Sequence, residues 1–229
     1  MRIAEIYKSV QGEGLLTGTE SVFVRASGCN LRCHYCDTPF ASWNPEGADQ
    51  SVDEIARTVN ALKCSHVVLT GGEPMLFAEL IPLCERLQSA GKHLTIETAG
   101  TLYLPVVCDL MSISPKTANS APDPIEYPKW HDRHEKTRHA PEVIRKLVDD
   151  YAYQFKFVIE SPEDLEEVEA YLTEFGDAIR RDRVMLMPEG TTTSRLAEIE
   201  KWLKPLCSKM GVQFCPRKQI EWYGMSRGT

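Results

Sequence analysis

The chain has 229 residues, 42% of them hydrophobic and 26% charged, with a formal net charge of -7. That length suits one large domain or two small ones with a sizeable core, and the acidic balance excludes a general nucleic-acid or membrane-surface binder. No apolar run approaches the roughly 18 residues of a membrane span, and the opening MRIAEIYKSVQGEG lacks the apolar core of a signal peptide, so a cytoplasmic protein is expected.

In chain order, SVFVRAS at 21–27 predicts a β-strand, and Ser51 with Glu54 makes a capping-box pattern before Ile55, Ala56, Val59 and Leu62 at helical spacing. HVVLT at 66–70 reads as a strand, 75–90 as a helix stopped by Gly91, and HLTIET at 93–98 and DLMSIS at 109–114 as strands. A short helix at 141–150, the strand YQFKFVIE at 153–160 and a helix opened by Ser161 and Pro162 follow. RVMLMP at 183–188 is strand-like, and an amphipathic helix at 194–210 stops at Gly211 before the short strand VQFC. Strand-helix units in one series predict an α/β fold with mostly parallel strands, either an open sheet or a partial (β/α) barrel, in a single domain over 1–229. Residues 116–140 are proline-rich, nearly charge-balanced and without sustained periodicity, so a loop or insertion is expected there, with His131, His134 and His139 solvated.

Eight cysteines are too few for a disulfide scaffold. Three of them, Cys29, Cys33 and Cys36, fall within GCNLRCHYCDT at 28–38, close enough for three thiolates to meet at one metal centre. Structural zinc takes four ligands; His34 points poorly for that and no second CxxC pair exists, yet a zinc-stabilised binding module stands as one alternative. Soft thiolates also suit iron-sulfur clusters, and a 4Fe-4S cluster on three cysteines leaves one iron open to substrate or cofactor. TGGEP at 70–74 follows a strand at its C-terminal end, where α/β folds build their sites.

With both motifs present, the chain resembles the radical S-adenosylmethionine superfamily. EIYKSVQGEG at 5–14, FVRASGCNLRCHYCDT at 23–38, TGGEP, ISPK at 113–116 and PRKQIEWYGMSRG at 216–228 resemble its 7-carboxy-7-deazaguanine synthase family. That resemblance implies a partial or modified (β/α)6 radical-SAM barrel. It also implies conversion of 6-carboxy-5,6,7,8-tetrahydropterin into 7-carboxy-7-deazaguanine with loss of ammonia, in queuosine and deazapurine biosynthesis. The implied cofactors are a 4Fe-4S cluster on Cys29, Cys33 and Cys36, S-adenosylmethionine, and Mg2+ on Thr38, whose hydroxyl is a hard ligand of the right type.

Implied substrate contacts are Val10, Gln11, Gly12, Arg25 and Thr70, with Arg25 suited to a bidentate pair with a carboxylate. Implied cofactor contacts are Tyr35, Cys36, Asp37, Gly72, Ser114, Pro115 and Lys116, and the stretch Gln154, Phe155, Lys156 and Phe157. An electron donor such as flavodoxin or ferredoxin, and a homodimer, are also implied. Two departures bear on the C-terminal substrate contacts, Arg217 among them: Gln219 stands where the family has histidine, and Tyr223 separates Trp222 from Gly224. A glycyl-radical activase shares the cysteine spacing and is the alternative within the superfamily, although VQGEG together with CDT is not expected of it.

Overall fold

The computed structural model describes residues 1–229. Strand-forming runs give β1 (Arg2–Val10) and β2 (Glu20–Ala26), which pair antiparallel, and the short β3 (Ala48–Asp49) lies on the far side of β1. β2 then pairs parallel with β4 (His66–Gly71), and parallel pairing continues through β5 (His93–Thr98), β6 (Leu110–Ile113), β7 (Tyr153–Ile159), β8 (Val184–Pro188) and β9 (Gln213–Phe214). The nine strands run in the order β3-β1-β2-β4-β5-β6-β7-β8-β9, a sheet that curves without closing on itself, as expected of a partial barrel.

Most of the helices cover the outer face, while the last of them lines the cavity described below. α1 (Val52–Ala61) starts at the expected capping box, in which the Ser51 hydroxyl accepts from Glu54 N–H and the Glu54 carboxylate accepts from Ser51 N–H at 2.8 Å. α2 (Leu80–Ser89), α3 (Pro128–Thr137), α4 (Pro141–Asp150), α5 (Asp164–Phe175), α6 (Thr193–Met210) and α7 (Lys218–Tyr223) follow. The core lies between this layer and the sheet, where Leu69, Ile96, Phe155 and Phe157 meet Leu83, Leu87, Val168 and Leu203. Because side chains alternate along a strand, the same β7 that sends Phe155 and Phe157 outward sends Gln154 and Lys156 inward. The inner face is therefore polar, and that face holds the site. No helix is long and apolar enough to cross a membrane.

Two expectations are corrected. The helix predicted over 75–90 is split: Pro74–Leu76 form a 3-10 turn capped by the Glu73 carboxylate, Phe77 is extended, and the helix proper starts at Leu80. The 116–140 segment is not one long loop, since it contains α3 and packs behind the cysteine loop; of its residues only Lys116 reaches the cavity described below. Helix α3 shows no apolar stripe because the only side chain it buries fully is His134, which is accordingly not a solvated loop histidine.

Burial, reinforced by the charge of Arg138, pushes His134 down to about 4. An unfolded histidine titrates near 6.5, so between about pH 6.5 and 4 the unfolded chain binds a proton that the folded chain refuses. Stability is thus complete above that window and falls as the pH drops through it. Thermal melts of the metal-free protein should show a steeper acid slope for wild type than for His134→Asn.

Candidate active site

A cavity of about 340 Å3 opens at the C-terminal ends of the parallel strands. The cysteine loop leaves β2 at Gly28, whose φ of +134° suits glycine, and is stitched to the TGGEP turn by backbone bonds: Gly72 N–H donates to the Ala26 carbonyl at 3.0 Å and Glu73 N–H to the Gly28 carbonyl at 2.9 Å. A Cβ on Gly72 would collide with the carbonyl oxygens of Gly28 and Ala41, neither of which can swing aside as a side chain could. Gly72→Ala should therefore cost about 2–3 kcal/mol, as overpacking against rigid neighbours does, and urea denaturation of the metal-free protein would read it. Glu73 is fully buried and accepts from Ala99 N–H at 2.8 Å, Met75 N–H at 3.1 Å and the Thr98 hydroxyl at 2.9 Å. It braces the turn against the end of β5.

Cys29, Cys33 and Cys36 are free thiols on the cavity wall. Burial, with the nearby Glu73, pushes Cys29 up to about 11; burial pushes Cys33 up to about 12 against the opposing charge of Lys116. Such thiols become thiolates only beside a positive centre, and iron supplies one. No His, Asp or Glu side chain joins the three cysteines as a fourth ligand of the kind structural zinc takes. A donor set of three soft thiols without a fourth protein ligand would suit an iron-sulfur cluster. The Cys36 Sγ lies 3.1 Å from Ser42 Oγ and 3.8 Å from Thr38 Oγ1, and the Thr38 hydroxyl faces the cavity without capping the turn that follows it.

A buried ion network crosses the floor. Lys156 donates to Glu13 at 2.9 Å and to Glu97 at 2.8 Å, and the other Glu97 oxygen accepts from Thr70 at 2.8 Å. Arg217 donates to Glu13 at 3.2 Å, to the Gly190 carbonyl at 2.6 Å and to Asp37, while Gln219 also donates to Glu13. Although burial opposes ionisation, Lys156 and Arg217 hold Glu13 down to about 2; against the same burial, Glu97 and Glu13 raise Lys156 above the ordinary lysine range. Separately, Arg25 donates from Nε to Glu5 at 2.8 Å and from Nη2 to the Tyr7 hydroxyl at 2.9 Å. The tail from Tyr223 to Thr229 lines the mouth, with the Arg227 guanidinium 3.6 Å over the Phe40 ring and 3.1 Å from Glu46.

The cavity brings together Val10, Gln11, Gly12, Arg25 and Thr70 with Tyr35, Cys36, Asp37, Gly72, Ser114, Lys116 and Lys156. Pro115 is not among its lining residues. Gln154 faces inward but its amide accepts from Leu15 N–H at 2.8 Å and donates to Ser112 at 2.8 Å, so it secures the loop after β1. Phe155 and Phe157 are a correction: both point to the helix layer, stacked with centroids 6.1 Å apart and fully buried. Glu13 and Glu97 escape a reading of the sequence; Glu97 alternates with the apolar Ile96, which marks a polar face of β5 but not that this face is enclosed.

Residues 23–172 match the Radical SAM superfamily. Over 228 residues the chain is 44% identical to a 7-carboxy-7-deazaguanine synthase of Rhodopirellula baltica, covering 99% of this chain and 88% of that protein. A 7-carboxy-7-deazaguanine synthase of Halobacterium salinarum is 43% identical over 227 residues, covering 95% of this chain and 88% of that protein. The fold is also that of a crystal structure of QueE from Escherichia coli, with a TM-score of 0.69 at 20% identity over 94% of this chain and 92% of that one. A cavity walled by three unpaired cysteines, set in a parallel sheet with these relatives, has one consistent reading: the chain belongs to the radical SAM superfamily and, within it, to the family of the 7-carboxy-7-deazaguanine synthases.

Proposed function

We propose that this protein is a carbon-nitrogen lyase that converts 6-carboxy-5,6,7,8-tetrahydropterin into 7-carboxy-7-deazaguanine with release of ammonia, in queuosine and 7-deazapurine biosynthesis. The observation that carries the reading is one cavity in which three free cysteines face a polar floor containing Arg25 and the Glu13–Lys156–Glu97 network. Cys29, Cys33 and Cys36 would hold the cluster, with Tyr35, Asp37, Gly72, Ser114 and Lys116 around S-adenosylmethionine. When bound, the cluster and S-adenosylmethionine supply a 5'-deoxyadenosyl radical able to take hydrogen from an unactivated carbon.

The chain's own residues bind and orient. Glu5 and Tyr7 fix the Arg25 guanidinium through Nε and Nη2, which leaves Nη1 to meet a substrate carboxylate. Glu13, kept ionised by its two cations, is an acceptor suited to the N–H edge of a pterin: Arg217 and Gln219 donate to Oε1, and Oε2, which accepts from Lys156, has a lone pair to spare. Mg2+ on Thr38 would neutralise the substrate carboxylate. A single domain over 1–229, a cytoplasmic homodimer and a one-electron donor such as flavodoxin or ferredoxin complete the proposal.

Thr38→Val keeps the shape and removes the hydroxyl. It should lower kcat/KM at least about tenfold and flatten the magnesium dependence, with iron content unchanged; an unaltered magnesium titration would remove Thr38 from the metal's shell. The function itself is tested by incubating anaerobically reconstituted protein with reductant, S-adenosylmethionine, Mg2+ and the pterin, and following product by mass spectrometry. Steady formation of 7-carboxy-7-deazaguanine is expected. A protein that cleaves S-adenosylmethionine but leaves the pterin intact would point to the activase class.

A further inference from the structure

Between Cys29 and Cys36 the backbone has no helix or strand, so its polar groups must find partners outside regular structure. Much of that support comes from the 116–140 segment. Arg32 N–H donates to His134 Nδ1 at 3.2 Å, His34 N–H donates to the Ser120 carbonyl at 3.0 Å, and the Arg32 guanidinium stacks 4.0 Å over the Trp130 ring. The same guanidinium turns back to donate to the Cys29 and Leu31 carbonyls at 2.8 and 2.7 Å.

His134 is the fully buried member of this set. The Ser120 hydroxyl gives its proton to the Thr117 carbonyl at 2.6 Å, so its oxygen must accept from His134 Nε2 at 2.8 Å. Hydrogen-bond bookkeeping thereby assigns the ring proton to Nε2 and leaves Nδ1 as the acceptor for the residue that precedes Cys33. One ring links α3 to the middle of the cysteine loop.

We propose that His134 is a positioning residue for the iron-sulfur centre: anchored by Ser120, it accepts the Arg32 amide proton and holds the peptide that delivers Cys33 to the cluster. This rests on the reading of the three cysteines as cluster ligands. The loop projects its thiols into the cavity from one side, so a peptide free to rotate at Arg32 would let Cys33 withdraw and give up its iron. Residues that orient metal ligands typically matter about 10–100-fold in metal retention.

Three variants separate this role from packing. His134→Asn places an amide oxygen where Nδ1 lies and keeps the acceptor; His134→Gln reaches instead toward Ser120 and loses it; His134→Leu fills the space without polarity. Each is reconstituted anaerobically, and iron release to a ferrous chelator is timed beside the electron paramagnetic resonance signal of the reduced cluster and the melting temperature of the metal-free protein. Iron release should be at least about tenfold faster in His134→Gln and His134→Leu than in wild type, and within about threefold of wild type in His134→Asn. If His134→Leu does not fold, the comparison of Asn with Gln decides. Equal release from Asn and Gln, or melting temperatures that fall while release rates and the resonance signal stay those of wild type, would overturn the proposal. A wild-type protein that takes up no iron would instead overturn the cluster reading beneath it.

Discussion

Lys156→Met should destabilise the metal-free protein by about 3 kcal/mol and abolish turnover, because breaking a buried ion pair leaves Glu97 without a charged partner. The Lys156 side chain is only 5% exposed and its ammonium lies between Glu13 and Glu97. Methionine fills similar space, so the loss is electrostatic: Glu13 keeps Arg217 and Gln219, but Glu97 keeps only the Thr70 hydroxyl, and the cation between the two carboxylates is gone. Glu13, held down to about 2 in the wild type, moves up. In the wild type the stabilisation from Glu13 is complete above the ordinary carboxylate range and is lost as the pH falls toward about 2. In the variant, stability should improve on mild acidification, because a carboxylate that takes a proton no longer repels its neighbour. Adding Glu13→Gln to Lys156→Met should recover part of the stability without recovering activity, which denaturant titration and the product assay measure separately. A single variant as stable as the wild type at neutral pH would show that the network carries no such energy.

Cys33→Ala should leave a folded, colourless protein with turnover reduced by at least about three orders of magnitude, equivalent to roughly 4 kcal/mol of barrier. The side chain is small, faces the cavity and is absent from the apolar core, so little packing is lost. Two thiolates cannot hold a cluster that three hold with one iron open. Circular dichroism of the metal-free variant should match the wild type, while iron analysis after anaerobic reconstitution falls from about four per chain toward zero. A variant that retains a full complement of iron would mean that Cys33 is not a ligand.

What was legible in the sequence was local. Cys29, Cys33 and Cys36 lie on one short loop, so their spacing alone announces a shared centre, and the short apolar run of β4 and the alternation of Leu94, Thr95, Ile96 and Glu97 in β5 mark strands. What was illegible depends on residues distant along the chain. Glu13 meets Lys156 from 143 positions away, and Arg217 meets Asp37 from 180, so neither pairing leaves a pattern in any window. Helix α3 hides for a related reason: it buries one histidine against a loop a hundred positions earlier and shows water its other charged side chains. The Phe155 and Phe157 expectation failed because a continuous stretch of a strand cannot face one cavity; alternation sends every second side chain into the helix layer.

The measurement that bears most directly on the central claim is the fate of a labelled hydrogen. Wild-type protein with a full cluster would be given S-adenosylmethionine, reductant, Mg2+ and 6-carboxytetrahydropterin carrying deuterium on the carbon that bears the carboxylate. The expected result is many turnovers to 7-carboxy-7-deazaguanine, with deuterium appearing in the recovered S-adenosylmethionine because hydrogen is taken from that carbon and a hydrogen is then returned. Formation of 5'-deoxyadenosine with no deazapurine, and no deuterium in either nucleoside, would contradict the assignment of substrate and reaction.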